Sequence, residues 1–190
     1  MRSLRDAKKD FLALIPMAEP AANYASLDLQ KRFHAQAIRV WLITAAVVLV
    51  WLAAIVAAPL LPQSNLSASI YTFFSYICHQ IGERSLHLAG HQLAVCSRCF
   101  GVYFGLLAGI LIYPLWRPIA EIEPIPRFWL FVSLIPITID WSLTISGIWE
   151  NTHLSRFVTG MILGATCATY IVPAVVEIVR NLSSRRIKHS

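Results

Sequence analysis

The sequence predicts an all-α, polytopic membrane protein: four transmembrane helices with a Cys/His-rich outward connector between the first and the second. Three observations carry that prediction. The 190 residues are 57% hydrophobic and only 14% charged, with a mean hydropathy of +0.61, where a typical soluble domain carries roughly 25% charge. Long runs hold no charge at all, and the basic residues gather at the two ends. A water-exposed surface needs more charge than this. That excludes an ordinary cytoplasmic enzyme and a soluble nucleic-acid binder, and leaves a chain whose apolar surplus faces lipid.

The elements follow in order. Residues 1–39 read as a basic cytoplasmic tail, in which segment 4–17 mixes Lys8 and Lys9 with Phe11, Leu12, Leu14 and Ile15. That mixture fits a short interfacial helix or a loosely ordered tail that sets topology. A membrane domain, 40–182, follows. Its first span, 40–61, is uncharged throughout, and a helix of about 20 residues suffices to cross the hydrocarbon core. The long lead-in and long apolar core suit a retained span better than a signal peptide. The second span, 100–116, is short but uncharged. The third, 128–149, is bracketed by Phe128, Trp129 and Trp149, rings that prefer the interface. The fourth, 159–179, carries Glu177 near its far end, and 183–190 is a second basic tail.

Charge sets the expected orientation. Arg2, Arg5, Lys8, Lys9, Lys31, Arg32 and Arg39 precede the first span; Arg180, Arg185, Arg186 and Lys188 close the chain. The inside-positive rule places both termini in the cytoplasm, which four spans permit. The connector 62–99 and a short segment at 150–156 then face outward, at a bacterial inner membrane or its equivalent. Anionic lipid explains the short C-terminal tail more simply than nucleic acid does. Gly101, Gly105 and Gly109 recur every fourth residue, as do Gly160 and Gly164. Small residues at this spacing allow close helix approach, so the second and fourth spans are expected to meet, the alternative being a contact with a second copy.

The connector carries the chemistry. Cys78, Cys96 and Cys99 lie there with His79, His87 and His91. Thiolate and imidazole are soft or borderline ligands, and a Cys-x-x-Cys turn can aim two sulfurs at one tetrahedral ion. The expected metal ligands are Cys78, His91, Cys96 and Cys99, because His79 adjoins Cys78 and the two converge awkwardly. Zinc leads, with iron or copper behind. The alternative is a Cys96–Cys99 dithiol with Cys78 as resolving thiol, which an oxidising outer face permits, and buried structural thiols fit the residue types too. Cys167, mid-span, reads as a small hydrophobe.

Asp140 sits in the third span, where a carboxylate is costly unless paired or hydrated. Arg84, Arg98 and Arg156 are its candidate partners. Asp140, Glu83 and Arg156 are the candidate polar participants in any catalysis, Glu83 also being placed to orient a histidine. His34, His87, His153 and His189 read as interfacial or solvent residues.

The ordered set Cys78-His79-Gln80, Glu83-Arg84-Ser85, Gly90-His91-Gln92-Leu93, then Val95-Cys96-x-Arg98-Cys99-x-Gly101-x-Tyr103 resembles a family of predicted integral membrane proteins of bacteria and archaea whose function is unknown. The likeness continues through Pro136, Asp140, Gly147, Asn151, Arg156, Thr159-Gly160 and Gly164. It departs at Trp141, where the pattern leads one to expect glycine, which bears against a role needing tight approach to Asp140. The resemblance implies one composite site joining the connector to Asp140 and Arg156, and names no activity. Three classes of function follow: a membrane metal protein whose ion is structural or transfers electrons, a thiol-redox or lipid-headgroup enzyme, and an accessory or scaffold subunit of a membrane complex. The lipid bilayer is the expected surrounding, with a homo-oligomer or larger complex as the expected assembly.

Overall fold

In the computed structural model, residues 20–61 and 64–188 are described, with side chains over 27–61 and 64–183. The expectations for segment 4–17 and for the side chains of the C-terminal tail beyond residue 183 lie outside these. The chain divides into two units, Met1–Ala35 and Gln36–Ser190. Helix α1, Pro20–Leu60, begins in the first, and the second holds everything discussed below.

Among the described residues, four helices are long and apolar enough to cross a membrane: Leu27–Leu60, Ser97–Trp116, Phe128–Ile145 and His153–Ser183. The last three belong to α3 (Ser97–Trp116), α4 (Phe128–Ile145) and α5 (His153–Lys188). Between α1 and α3 the connector forms α2 (Asn65–Ser75), a 3-10 turn at Gly82–Arg84, and a minimal hairpin of β1 (His87–Leu88) and β2 (His91–Gln92). The protein is thus an all-α, multi-pass membrane protein with a Cys-rich loop between its first and second spans.

Helix α1 begins at Pro20, within the segment read as a tail, α3 begins at Ser97, and α5 runs on to Lys188; two further ends differ from the sequence reading for local reasons. The third span stops at Ile145, not 149, because Gly147 takes φ +67°. Its N–H reaches Thr144 O and the Ile148 N–H reaches Leu143 O, both at 3.2 Å, the hydrogen-bond pair of a Schellman stop. The fourth helix starts at His153, not 159, where Thr152 Oγ1 accepts the Ser155 N–H at 3.1 Å, a side-chain cap on an orphan donor. Arg156 consequently lies in the first turn of α5.

α3 and α5 make the closest helix contact. A Cβ placed on Gly105 would lie 2.1 Å from Met161 O, on Gly164 2.0 Å from Val102 O, and on Gly160 2.3 Å from Arg98 O. The expected meeting of the second and fourth spans is therefore made within the chain, by backbones too close for any side chain. α1 covers this pair through a core of Ala45, Ile110, Tyr113, Ala168 and Val172. Pro114 cannot donate to Ile110 O within α3, and Trp41 Nε1 supplies the bond from α1 at 2.7 Å. α4 packs on α5 with only Ser133 and Asp140 buried. Its Phe131, Ile139, Trp141 and Ile145 are more than half exposed, as lipid-facing residues should be.

The bundle has two distinct ends. At one, Gln36 Nε2 donates to Ser183 Oγ at 2.8 Å, and Ala37, Val40, Ile119 and Val176 pack together. First and last spans therefore meet there, as an even number of crossings requires. At the other, α2 folds back so that Phe74 packs with Ile55 and Ala58, and Cys78, Leu93, Ala94 and Val95 complete the cluster. Ser67 Oγ donates to Ala58 O at 2.8 Å, tying α2 to the end of α1.

A candidate metal centre and its cleft

Three local devices deliver the cysteines. The first holds Cys78 after α2. Gln80 adopts φ +49°, a left-handed conformation that costs a non-glycine residue about 1 kcal/mol. Its side chain offsets that cost by donating to Tyr71 O and Ala94 O, both at 2.8 Å. The second is the hairpin, where Ala89 (φ +52°) and Gly90 (φ +80°) form the two-residue loop, as a tight turn with two positive φ values demands. Tyr71 OH hydrogen-bonds Gln92 O from below. The third is the start of α3: Cys96 is its N-cap and Cys99 lies in the first turn, so both sulfurs sit at the positive end of the helix dipole.

These devices bring the Sγ atoms of Cys78, Cys96 and Cys99 within 4.8 Å of one another. An ion bound tetrahedrally at about 2.3 Å would hold its sulfurs about 3.8 Å apart, so the trio fits with small side-chain rotations. All three are free thiols. The Cys96 N–H donates to Cys78 Sγ at 3.2 Å. Hydrogen bonds from the Cys96 and Cys99 side chains, then from the Cys96 and Gln80 backbone, outweigh burial and hold the Cys78 thiol far below the ordinary thiol range. The site thus favours a thiolate at its centre, the form that binds metals.

His91, the fourth ligand expected from the sequence, is exposed on β2 opposite Leu88 and lies outside this group. His79 instead lines a cleft of about 550 Å³ together with Cys78, Cys96 and Cys99. Glu83 is exposed on the 3-10 turn and does not line that cleft. Cys167 stands apart, half-buried in α5.

Behind the cysteines lies a polar network anchored on Asp140. Of the three arginines expected as partners, Arg98 makes the contact, Nη2 to Oδ2 at 2.5 Å. Asn151 Nδ2 donates to the same oxygen at 2.8 Å and Ser155 Oγ to Oδ1 at 2.9 Å. Arg156 joins indirectly, its Nε donating to Asn151 Oδ1 at 2.6 Å. Because Arg98 stands between Cys96 and Cys99, this network couples α4 and α5 to the cysteine turn. Asp140→Ala would leave Arg98, which is only partly buried, without its counter-charge, a loss below the figure of about 3–5 kcal/mol for a fully buried pair broken on one side. Thermal unfolding in detergent should show the drop, and Asp140→Asn should recover part of it.

Sequence reasoning assigned no contact to Ser97, Asn151 or Ser155 and read His153 as an interfacial or solvent residue. Ser97 is fully buried; its Oγ donates to Arg84 O at 3.0 Å and lies 2.9 Å from His153 Nδ1. With the hydroxyl proton given to Arg84 O, the His153 ring donates to Ser97. Nothing in the spacing of Ser97 and His153 announces this. Asn151 and Ser155 become visible only once the Schellman stop returns the chain toward Asp140.

Fold and site together define a polytopic membrane protein with a three-cysteine cluster at one end of its bundle. Residues 78–170 match the family model described as "Predicted membrane protein (DUF2085)". The chain is 38% identical to the uncharacterized protein MJ1492 of Methanocaldococcus jannaschii over 60% of its own length and 73% of the relative's. It is 35% identical to an uncharacterized protein of Methanothermobacter thermautotrophicus over 48% of its length and 80% of that relative's. The chain belongs to this family of small membrane proteins. No solved structure matches it.

Proposed function

We propose that this protein is a membrane metal-binding protein in which Cys78, Cys96 and Cys99 hold one ion, zinc ahead of iron or copper. The observation that supports it most is the convergence of three free thiols within 4.8 Å. A disulfide would join two of them and leave Cys78 only as a resolving thiol, whereas a bound ion uses all three at once. Three thiolates with one further donor suit tetrahedral zinc, whereas iron–sulfur clusters take four protein ligands. A further donor has to come from outside the trio; His79 lines the adjoining cleft but lies outside the group of converging ligand atoms. In this reading the ion fastens the connector to the second span, and Asp140 and Arg156 hold its surroundings.

The test is elemental analysis of protein purified without chelator. About one zinc per chain is expected, and less than a tenth of that in the Cys96→Ser/Cys99→Ser double variant. Metal-free wild type, with Cys96 and Cys99 found as a reversible disulfide, would replace this reading with the thiol-redox one.

We further propose that the cysteine end faces outward and both termini face the cytoplasm, supported by the basic residues at the chain ends. In intact cells, an impermeant maleimide should label a His87→Cys variant, since His87 is exposed on the hairpin. Labelling only after lysis would reverse the orientation.

A further inference from the structure

The cleft beside the cysteines has a second character that the metal does not explain. Arg84, Arg98 and Arg156 all line it, and its lining contains no carboxylate. Asp140 lies behind Arg98 and is engaged there by Arg98, Asn151 and Ser155. Among the described residues, neither Arg84 nor Arg156 has a carboxylate partner; the ion pairs are Arg98–Asp140 and Arg117–Glu121. Two guanidinium groups without an ion-pair partner thus face one cavity with a third alongside. Arg84 is exposed and Arg156 half-buried, so solvent screens part of their repulsion, and an anion between them would relieve the rest.

The two free arginines are also held ready. Ser97 Oγ donates to the Arg84 carbonyl and so fixes its backbone. Asn151 Oδ1 takes the Nε–H of Arg156, leaving the terminal amino groups of Arg156 without a protein partner among the described residues. Paired N–H donors of this kind match phosphate oxygens in number and geometry. The lining also includes the apolar Ile77, Ile81, Trp141 and Ile145, and Trp141 and Ile145 lie on a membrane-spanning helix with more than half their surface exposed. A basic pocket opening between spans onto a lipid-facing wall is the setting in which anionic headgroups bind.

We infer that this cleft is a phosphate-binding site, with Arg84 and Arg156 gripping the phosphate group and the wall of Trp141 and Ile145 receiving an attached apolar chain. The phosphate belongs either to an anionic lipid or to a free phosphate ester. The inference rests on the arginines and does not require the ion.

The test uses full-length protein in neutral detergent, with metal content recorded for every sample. One arm measures retention of dioleoyl phosphatidic acid against dioleoyl phosphatidylcholine by native mass spectrometry; the other titrates inorganic phosphate calorimetrically. Preferential retention of phosphatidic acid is expected. The Arg84→Gln and Arg156→Gln variants should each bind about tenfold more weakly, Arg84→Gln at unchanged metal content, while Arg127→Gln, outside the cleft, should match wild type. Binding of inorganic phosphate with no lipid preference, still lost in the two variants, would support the phosphate site and assign it the free ester. Neither ligand bound, or equal binding by the Arg84→Gln/Arg156→Gln double variant, would overturn the inference. Because metal content is read separately, such a failure leaves the metal proposal standing, and a metal-free protein that binds phosphate does the reverse.

Discussion

A Gly164→Leu substitution is expected to prevent α3 and α5 from docking. The first added carbon would lie 2.0 Å from Val102 O and 2.8 Å from both Leu106 N and Val102 C, and backbone atoms cannot swing aside as a side-chain tip can. The helices would have to separate by more than an ångström over the whole contact, because Gly101, Gly105, Gly109 and Gly160 share it. Overpacking a closed interface costs about 1–3 kcal/mol where neighbours can adjust; here they cannot, and between membrane helices packing itself is the main attraction. The expected result is protein that inserts but loses cooperative thermal unfolding in detergent. Gly164→Ala should already lower the midpoint sharply. Gly147→Ala, where nothing lies within 4 Å of the added carbon, should cost only the strain of its positive φ. Equal behaviour of Gly164→Ala and wild type would contradict the close helix contact.

The second large effect concerns the ion. If Cys78, Cys96 and Cys99 hold it, the ion bridges residues 18 apart in sequence and closes the connector onto α3. A ligand present at a thousandfold its dissociation constant stabilises the folded state by about 4 kcal/mol, so chelation or Cys78→Ser should remove about that much. The loss should be local. Amide exchange should rise across 76–96, where Gln80, the hairpin and Cys78 depend on one another, and change little in the α3–α5 contact. Cys167→Ser should match wild type in metal content and stability. A Cys78→Ser protein that keeps full stability and a protected connector would sink the structural role.

Much of the membrane fold was legible because lipid imposes simple rules. Uncharged runs of span length, the fourfold glycine spacing and a mid-span carboxylate are one-dimensional signals with direct physical causes, and each marks a feature found in the bundle. The Cys-x-x-Cys turn was equally readable, since its two sulfurs are neighbours on one helical turn. What escaped depended on how the connector folds. Preferring His91 over His79 rested on the crowding of adjacent ligands, and how the connector folds was not readable: both histidines are exposed and neither joins the cysteine group, His79 lining the adjoining cleft. Choosing Arg98 among three arginines for Asp140 required knowing that α3 begins at Ser97, which places Arg98 on the first turn of the helix. Ser97 and His153 gave no signal because a buried hydroxyl and a ring nitrogen meet only after α3 and α5 have docked.

X-ray absorption at the zinc edge tests the account most directly. Protein purified without chelator should show three sulfur scatterers at about 2.3 Å and one lighter nitrogen or oxygen donor at about 2.0–2.1 Å, with the sulfur shell lost in Cys96→Ser/Cys99→Ser. A shell of nitrogen and oxygen alone, unchanged by that substitution, would contradict a metal centre built on Cys78, Cys96 and Cys99.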